Sequence, residues 1–425
     1  MGIRDSMVLL GPPGSGKGLH FVIPTILDAP GAVINTSSRP DNLTTTITAR
    51  CGAGPVAVFD PQGLASGVRT AIRWSPVRGC ELPQTAMIRA HALCADAGKG
   101  TTDGNFWTQQ TTVATRCLLH AAAVGGFDAG RVYRWSLSPA TAKEAVQVLA
   151  DSTVAPAWDK ALDSIVNAEQ RQRDSIWAMV SNTFAALGDP QVLDAVSPRE
   201  GESFDPVSFL RQRGTLYLLG TATGASATAT LVATLVEDVV EVARRLAARS
   251  VGARLDPPLT LVLDEASNYP LPSLGQLMSE GGGTGVPTIA VLQSLAQARD
   301  KWGKETGDAI WDSATYKVVL GGLSNADDLA DISRLIGERE HTERSTSRQA
   351  GGEIAVSESL RREAILDPAQ IRAIHFGYGL LLTASARPIM VTLRPWIDRP
   401  DASTLRQQCA AVEEDIRRHA ATRYA

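Results

Sequence analysis

A chain of 425 residues is long enough for two or three domains and a sizeable core, and its 44% hydrophobic, 20% charged composition excludes a disordered or fibrous protein. The net charge of −4 excludes a global positive field, so any nucleic-acid surface has to be local, as in a pore or on one face. Arg outnumbers Lys by 34 to seven, which coding bias explains better than selection of Arg for phosphate contacts.

Along the chain, the apolar run Met7 to Leu10 predicts a buried strand, followed by a Gly-rich loop and a helix beginning near His20. Ala32 to Ile34 and Pro55 to Phe59 are short, β-rich and bounded by turn residues, and Asp41 to Arg50 reads as the crossover helix between them. Strands alternating with helices imply a parallel sheet covered on both faces. From about Thr85 to Pro206 the strand signals vanish. Helical periodicity runs through Phe106 to Val124, Ala140 to Leu149, Ala157 to Glu169 and Arg173 to Leu187, predicting an all-helical block inserted into the α/β unit. Phe106, Trp107, Trp158, Trp177 and Phe184 lie in these helices and are expected in the core rather than on a base-stacking platform. The α/β pattern resumes at Gly214 to Leu219, with a long helix from Ala225 to Arg249. Further strands follow at Leu259 to Leu263, Thr288 to Leu292, Tyr316 to Leu320, Tyr378 to Thr383 and Met390 to Leu393. The charged, Ser/Thr/Gly-rich stretch Gly337 to Glu363 is expected to be a mobile excursion, and Leu405 to Ala421 a terminal helix. The expected division is 1–84 and 207–400 for the two parts of one α/β domain, 85–206 for the all-α domain, and 401–425 for a C-terminal helix or tail.

Cys51, Cys80, Cys94, Cys117 and Cys409 are odd in number and form no C-x-x-C pair, so they read as buried or incidental thiols of a reducing compartment. His91 and Cys94 have a ligand-like spacing, but without a second pair they do not predict zinc. The longest uncharged stretch, Gly214 to Val236, has too polar a middle for a membrane span, and no signal peptide is visible. The chain as given reads as soluble.

Two stretches carry chemistry. Gly11, Pro12, Pro13, Gly14, Ser15, Gly16, Lys17 and Gly18 fit the phosphate-binding pattern G-x-x-x-x-G-K, and with Leu19 they form the candidate nucleotide-binding segment. The order strand, loop, helix aims backbone N–H groups and a helix N-terminus at the phosphates of ATP, and Lys17 adds a point charge. The plain alternative is a Gly-Pro-Gly turn between a strand and a helix. Gly18 stands where Ser or Thr normally reaches Mg²⁺, which predicts weaker metal affinity rather than a dead site, because Mg²⁺ readily keeps a water there. The second stretch is Leu259 to Glu265, a strand ending in two carboxylates at the sheet edge where open α/β folds bind ligands. Asp264 is the candidate holder of Mg²⁺ or its water shell, and Glu265 the candidate general base; a solvated acidic turn is the plain alternative. Gln293, ending the next strand, is a candidate contact for the γ-phosphate or attacking water.

In combination these residues make the chain resemble the soluble part of a type IV coupling protein of the TraG/TraD type, the ATPase of conjugative secretion channels. The motifs are Gly11 to Gly18, Val56 to Pro61, Phe106-Trp107, Leu263-Asp264-Glu265, Leu292 to Gln297 with Trp302-Gly303, and Ile332 to Gly337. They occur in the family's order over roughly residues 7 to 395. The resemblance implies a RecA-like P-loop NTPase fold with an inserted all-α domain that engages cargo. It also implies ATP and Mg²⁺ as cofactors and six subunits in a ring. DNA, relaxase-type cargo and channel proteins would be the partners, at the cytoplasmic face of the bacterial inner membrane.

Three departures stand out. The family's Asp-x-Lys-Gly-Glu-like stretch is replaced by Asn35 to Asp41. An Arg about eleven residues before the Gln, proposed in the family to act across a subunit boundary, is replaced by Gly281-Gly282-Gly283. Arg334 and Arg339 are candidates for that role and read equally as solvated surface charges. The family's transmembrane hairpin is not in this sequence, which reads as a trimmed cytosolic part. Two other readings stay open: a DNA pump of the FtsK/HerA kind, and a nucleotide-gated docking protein that hydrolyses little.

Overall fold

The computed structural model describes residues 2, 4–68, 70–221, 228–348 and 354–424. Met7–Leu10 (β1) leads through the Gly-rich loop into a π-helical turn, Gly18–Val22, which continues as α1 (Ile23–Asp28). Ala32–Ser37 (β2), Asp41–Cys51 (α2) and Val56–Phe59 (β3) follow. All four residues of β1 and all six of β2 are buried, as strands covered on both faces require.

Eight helices come next: Pro83–Leu93 (α3), Gly104–Val124 (α4), Ala129–Ser136 (α5), Pro139–Ala150 (α6), Trp158–Val166 (α7), Gln170–Thr183 (α8), Pro190–Ala195 (α9) and Pro206–Arg211 (α10). Side chains of Asp128, Ser138, Glu169, Asp189 and Asp205 cap the starts of α5, α6, α8, α9 and α10. These caps correct two expectations. The run from Ala157 to Glu169 is not one helix, because α7 stops at Val166 and Glu169 caps the next. The short helix α5, with Val132 and Trp135 buried, was not among the expected helices. The aromatic expectation holds for Trp177 and Phe184 but not for Phe106, which is 41% exposed and lies edge-on to Trp107.

The sheet then resumes with Thr215–Leu219 (β4), the long helix Ala229–Ala248 (α11), Leu259–Leu263 (β5), Leu274–Thr284 (α12), Thr288–Leu292 (β6), Leu295–Trp302 (α13), Lys304–Asp312 (α14) and Tyr316–Leu320 (β7). The expected helix start at Ala225 lies outside the described residues. After Ala326–Ile336 (α15) come Glu338–Arg348 (β8) and Ile354–Ala364 (β9), then Pro368–Arg372 (α16), Tyr378–Thr383 (β10), Ile389–Thr392 (β11) and Ala402–Tyr424 (α17). β8 and β9 pair antiparallel, from Glu338 opposite Ala364 to Arg348 opposite Ile354. The described part of the stretch expected to be a mobile excursion forms a two-stranded ribbon. Its first strand went unseen because Glu338–Arg348 contains no hydrophobic residue and so no hydrophobic period of two.

The nine-stranded sheet has the order β11-β10-β7-β1-β6-β5-β2-β4-β3. Pairs from β7 to β3 are parallel, and β10 and β11 join antiparallel at one edge. This is the mainly parallel α/β sheet read from the sequence, with the helices α3 to α10 running between β3 and β4. A buried pair ties those helices to the sheet layer: Arg89 of α3 donates to Asp238 of α11 at 2.8 Å, and Trp74 Nε1 donates to the other Asp238 oxygen at 3.1 Å. No helix among the described residues is long and apolar enough to cross a membrane.

Candidate functional site

β6 lies between β1 and β5, with Leu10 opposite Leu292 and Leu263 opposite Ala290. This register sets Gly11, Gln293 and the Asp264-Glu265 pair side by side at the carboxyl ends of three adjacent strands. The Gly11 N–H continues the ladder by donating to Leu292 O at 3.0 Å.

The loop after β1 turns through two left-handed residues, Gly14 at φ 79° and Gly16 at φ 84°. A Cβ on Gly16 would also fall 2.7 Å from His20 Cδ2 and 3.0 Å from Phe376 Cε2, so the loop closes only around glycine there. Ser15 Oγ donates to Pro12 O at 2.7 Å. Lys17 folds over the loop, its Nζ donating to Gly11 O at 2.6 Å and Pro12 O at 3.0 Å. Burial lowers the Lys17 pKa from the ordinary lysine value, while the negative charges of Asp264 and then Glu265 oppose that shift. The lysine and both carboxylates thus share one electrostatic environment, although they stand about 250 residues apart in sequence.

Asp264 is mostly buried. Desolvation pushes its pKa above the usual carboxylate range, and the hydrogen bond from Asn42 is the largest opposing influence. Asn42 Nδ2 donates to Asp264 Oδ2 at 3.0 Å, and Thr36 Oγ1 donates to the Asp264 backbone oxygen at 3.1 Å. Glu265 has φ 52°, an uncommon conformation for a side chain of its size. Its Oε2 accepts from Ser38 Oγ and from Asn268 Nδ2, the latter at 3.1 Å. Its backbone oxygen accepts from the Asn268 N–H at 2.7 Å. The carboxylate is therefore held from two sides through one oxygen. Gln293 Oε1 accepts from Gln297 Nε2 at 3.4 Å. Gly18 and Leu19 open the π-helical turn, whose N-terminus faces the loop.

Sequence reasoning did not single out Ser38, Asn42, Thr36 or Asn268. The one available signal was the Asn35 to Asp41 departure: Thr36 and Ser38 lie inside it, and Asn42 follows directly. Other motif residues serve the scaffold. Asp60 accepts the N–H groups of Leu64 at 2.9 Å and Ala65 at 2.7 Å, closing the turn after β3. Trp302 Nε1 donates to Leu271 O at 2.8 Å. In the Gly281 to Gly283 run, a Cβ on Gly282 would fall 1.8 Å from Arg4 O, so no side chain fits there without moving that backbone. Arg334 is exposed and pairs with Asp331. Asp264 and Asn42 carry side-chain oxygens of the kind Mg²⁺ takes, and Gly18 offers none. Among the described residues there is no group of three or more His, Cys, Asp or Glu that could hold a metal by itself.

The sequence profile described as the TraM recognition site of TraD and TraG matches residues 258–376. No curated protein matches the chain in sequence. The fold is that of the bacterial conjugative coupling protein TrwB: the unbound form aligns with a TM-score of 0.66 at 18% identity, covering 92% of this chain and 85% of that one. TrwB in complex with ADP and Mg²⁺ aligns with a TM-score of 0.65 at 18% identity, over 92% and 86% of the two chains. VirB4 of Thermoanaerobacter pseudethanolicus aligns with a TM-score of 0.51 at 14% identity, over 95% and 94%. These likenesses bear out the resemblance carried by the motifs and the RecA-like P-loop fold it implies.

Proposed function

We propose that this chain is a coupling ATPase of the TraG/TraD type, which hydrolyses ATP to recruit DNA or DNA–protein cargo and deliver it into a type IV secretion channel. The observation that carries the reading is the convergence of Lys17 with Asp264 and Glu265 at the carboxyl ends of neighbouring parallel strands. The Gly11 to Leu19 segment would cradle the phosphates, with Lys17 leaving its own loop carbonyls for the β- and γ-oxygens. Asp264 and Asn42 would face the Mg²⁺ that comes with the nucleotide and neutralises its phosphate charge. Glu265, steadied by Ser38 and Asn268, would take a proton from the attacking water through its free oxygen, and Gln293 would contact the γ-phosphate or that water.

The matched profile names TraM recognition, which supports a relaxosome-type partner docking on residues 258–376. Ring assembly, DNA contact and a place at the inner-membrane face are further parts of this proposal. The inserted helices α3 to α10 favour a coupling protein over an FtsK/HerA-like pump, which has no need of them.

The test is the ATPase rate with and without single- or double-stranded DNA. DNA is expected to raise the rate. Glu265→Gln is expected to lower turnover by about 10²–10⁴-fold while nucleotide still binds. A rate indifferent to both DNA and the substitution would refute the motor reading.

A further inference from the structure

Gly18 removes the hydroxyl that usually follows the phosphate-loop lysine and reaches Mg²⁺. The space it would enter is open. A Cβ built on Gly18 has one neighbour within 4 Å beyond its own turn, Asn42 Oδ1 at 3.8 Å. Asn42 is only 4% exposed, and its orientation is determined by its partner: a carboxylate accepts only, so the amide nitrogen faces Asp264 Oδ2 at 3.0 Å. The carbonyl oxygen therefore turns towards Gly18, and among the described residues no donor meets it. An amide oxygen held in orientation on a buried residue, with no protein donor among the described residues and beside the carboxylate assigned to the metal, is a hard oxygen ligand poised for a hard cation.

Resting on the nucleotide-site reading above, we propose that Asn42 is an oxygen partner of the nucleotide-associated Mg²⁺, supplying through Oδ1 what the missing Ser/Thr hydroxyl supplies elsewhere. Asn42 comes from α2, which packs against the loop helix α1, so the metal would join α1 and α2 to the end of β5. The absence of a hydroxyl at Gly18 is then a relocation of one ligand rather than its loss.

The experiment measures metal affinity, not turnover. Mn²⁺ is titrated, by electron paramagnetic resonance, into the full chain saturated with a non-hydrolysable ATP analogue, and analogue affinity is measured separately without metal. Asn42→Ala is expected to weaken Mn²⁺ binding about tenfold with metal-free analogue affinity unchanged. Gly18→Ser added to Asn42→Ala is expected to restore it, since the open space at Gly18 accepts a hydroxymethyl group. Asn42→Asp, which keeps an oxygen of the same shape and adds a negative charge, is expected to tighten Mn²⁺ about tenfold. Metal affinity unchanged in both Asn42 variants, or no rescue by Gly18→Ser, overturns the proposal. Failure of the unaltered chain to bind the analogue at all overturns the nucleotide-site reading instead.

Discussion

Ser38 and Asn268 both reach the same oxygen of Glu265, from the end of β2 and from the turn after β5. A carboxylate anchored through Oε2 presents Oε1 in a fixed direction, which is what a general base needs when the proton has to leave in a single geometry. Hydrogen bonds to a charged group contribute about 1.5–3 kcal/mol. Ser38→Ala should therefore lower kcat by about tenfold or more while leaving the KM for ATP nearly unchanged, and Ser38→Thr should recover most of the loss. Steady-state kinetics of the three proteins checks this. A higher kcat in Ser38→Ala would mean that the hydroxyl restrains Glu265 instead of orienting it. Within the Asn35 to Asp41 stretch, Ser38 thus delivers a polar side chain to Glu265.

At the scale of elements, the seam between α11 and α12 holds a buried carboxyl. Glu237 of α11 accepts the Ser273 N–H at 3.0 Å, just ahead of α12. Burial pushes its pKa above the usual glutamate range, only partly offset by Ser273. A carboxyl raised on folding adds stability while it is protonated and loses that contribution as the pH climbs through its folded pKa. Glu237→Gln keeps an oxygen for Ser273 and removes the ionisation, so it should raise Tm relative to the parent protein, with a gain that grows from pH 5 to pH 8. Thermal melts across that range check it; a gain independent of pH would contradict it. Elements were the most legible level of the sequence. The five strands β1, β4, β5, β6 and β7 are short apolar runs whose character no tertiary context reverses, and each lies within a residue of its expected place. The ribbon β8–β9 was illegible for the opposite reason: Glu338–Arg348 contains no hydrophobic residue, so its first strand carries no apolar signal.

For the whole molecule, α17 returns the C-terminal segment to the site's scaffold. Val412 and Ile416 pack on the cluster formed by Leu43, Ile47, Val58 and Tyr217, and Leu405 is 2% exposed. Leu43 and Ile47 belong to α2, the helix that carries Asn42. Removing residues 401–425 should cost on the order of 3 kcal/mol, from one buried and two half-buried aliphatic side chains, and should be visible as a lower midpoint in urea. An unchanged midpoint would mean that α17 lies on α2 without stabilising it. By itself the sequence determined the α/β class, the phosphate loop, the acidic strand end and their order along the chain, because each is a local pattern of a few residues whose chemistry is nearly independent of what surrounds it. Only the tertiary structure decided which polar side chains complete the site. Ser38 and Asn42 are ordinary residues in sequence, and they reach Glu265 and Asp264 because the parallel sheet sets β2 beside β5, bringing residues more than 200 positions apart within hydrogen-bonding distance, whereas Asn268 reaches Glu265 from three residues along the same turn.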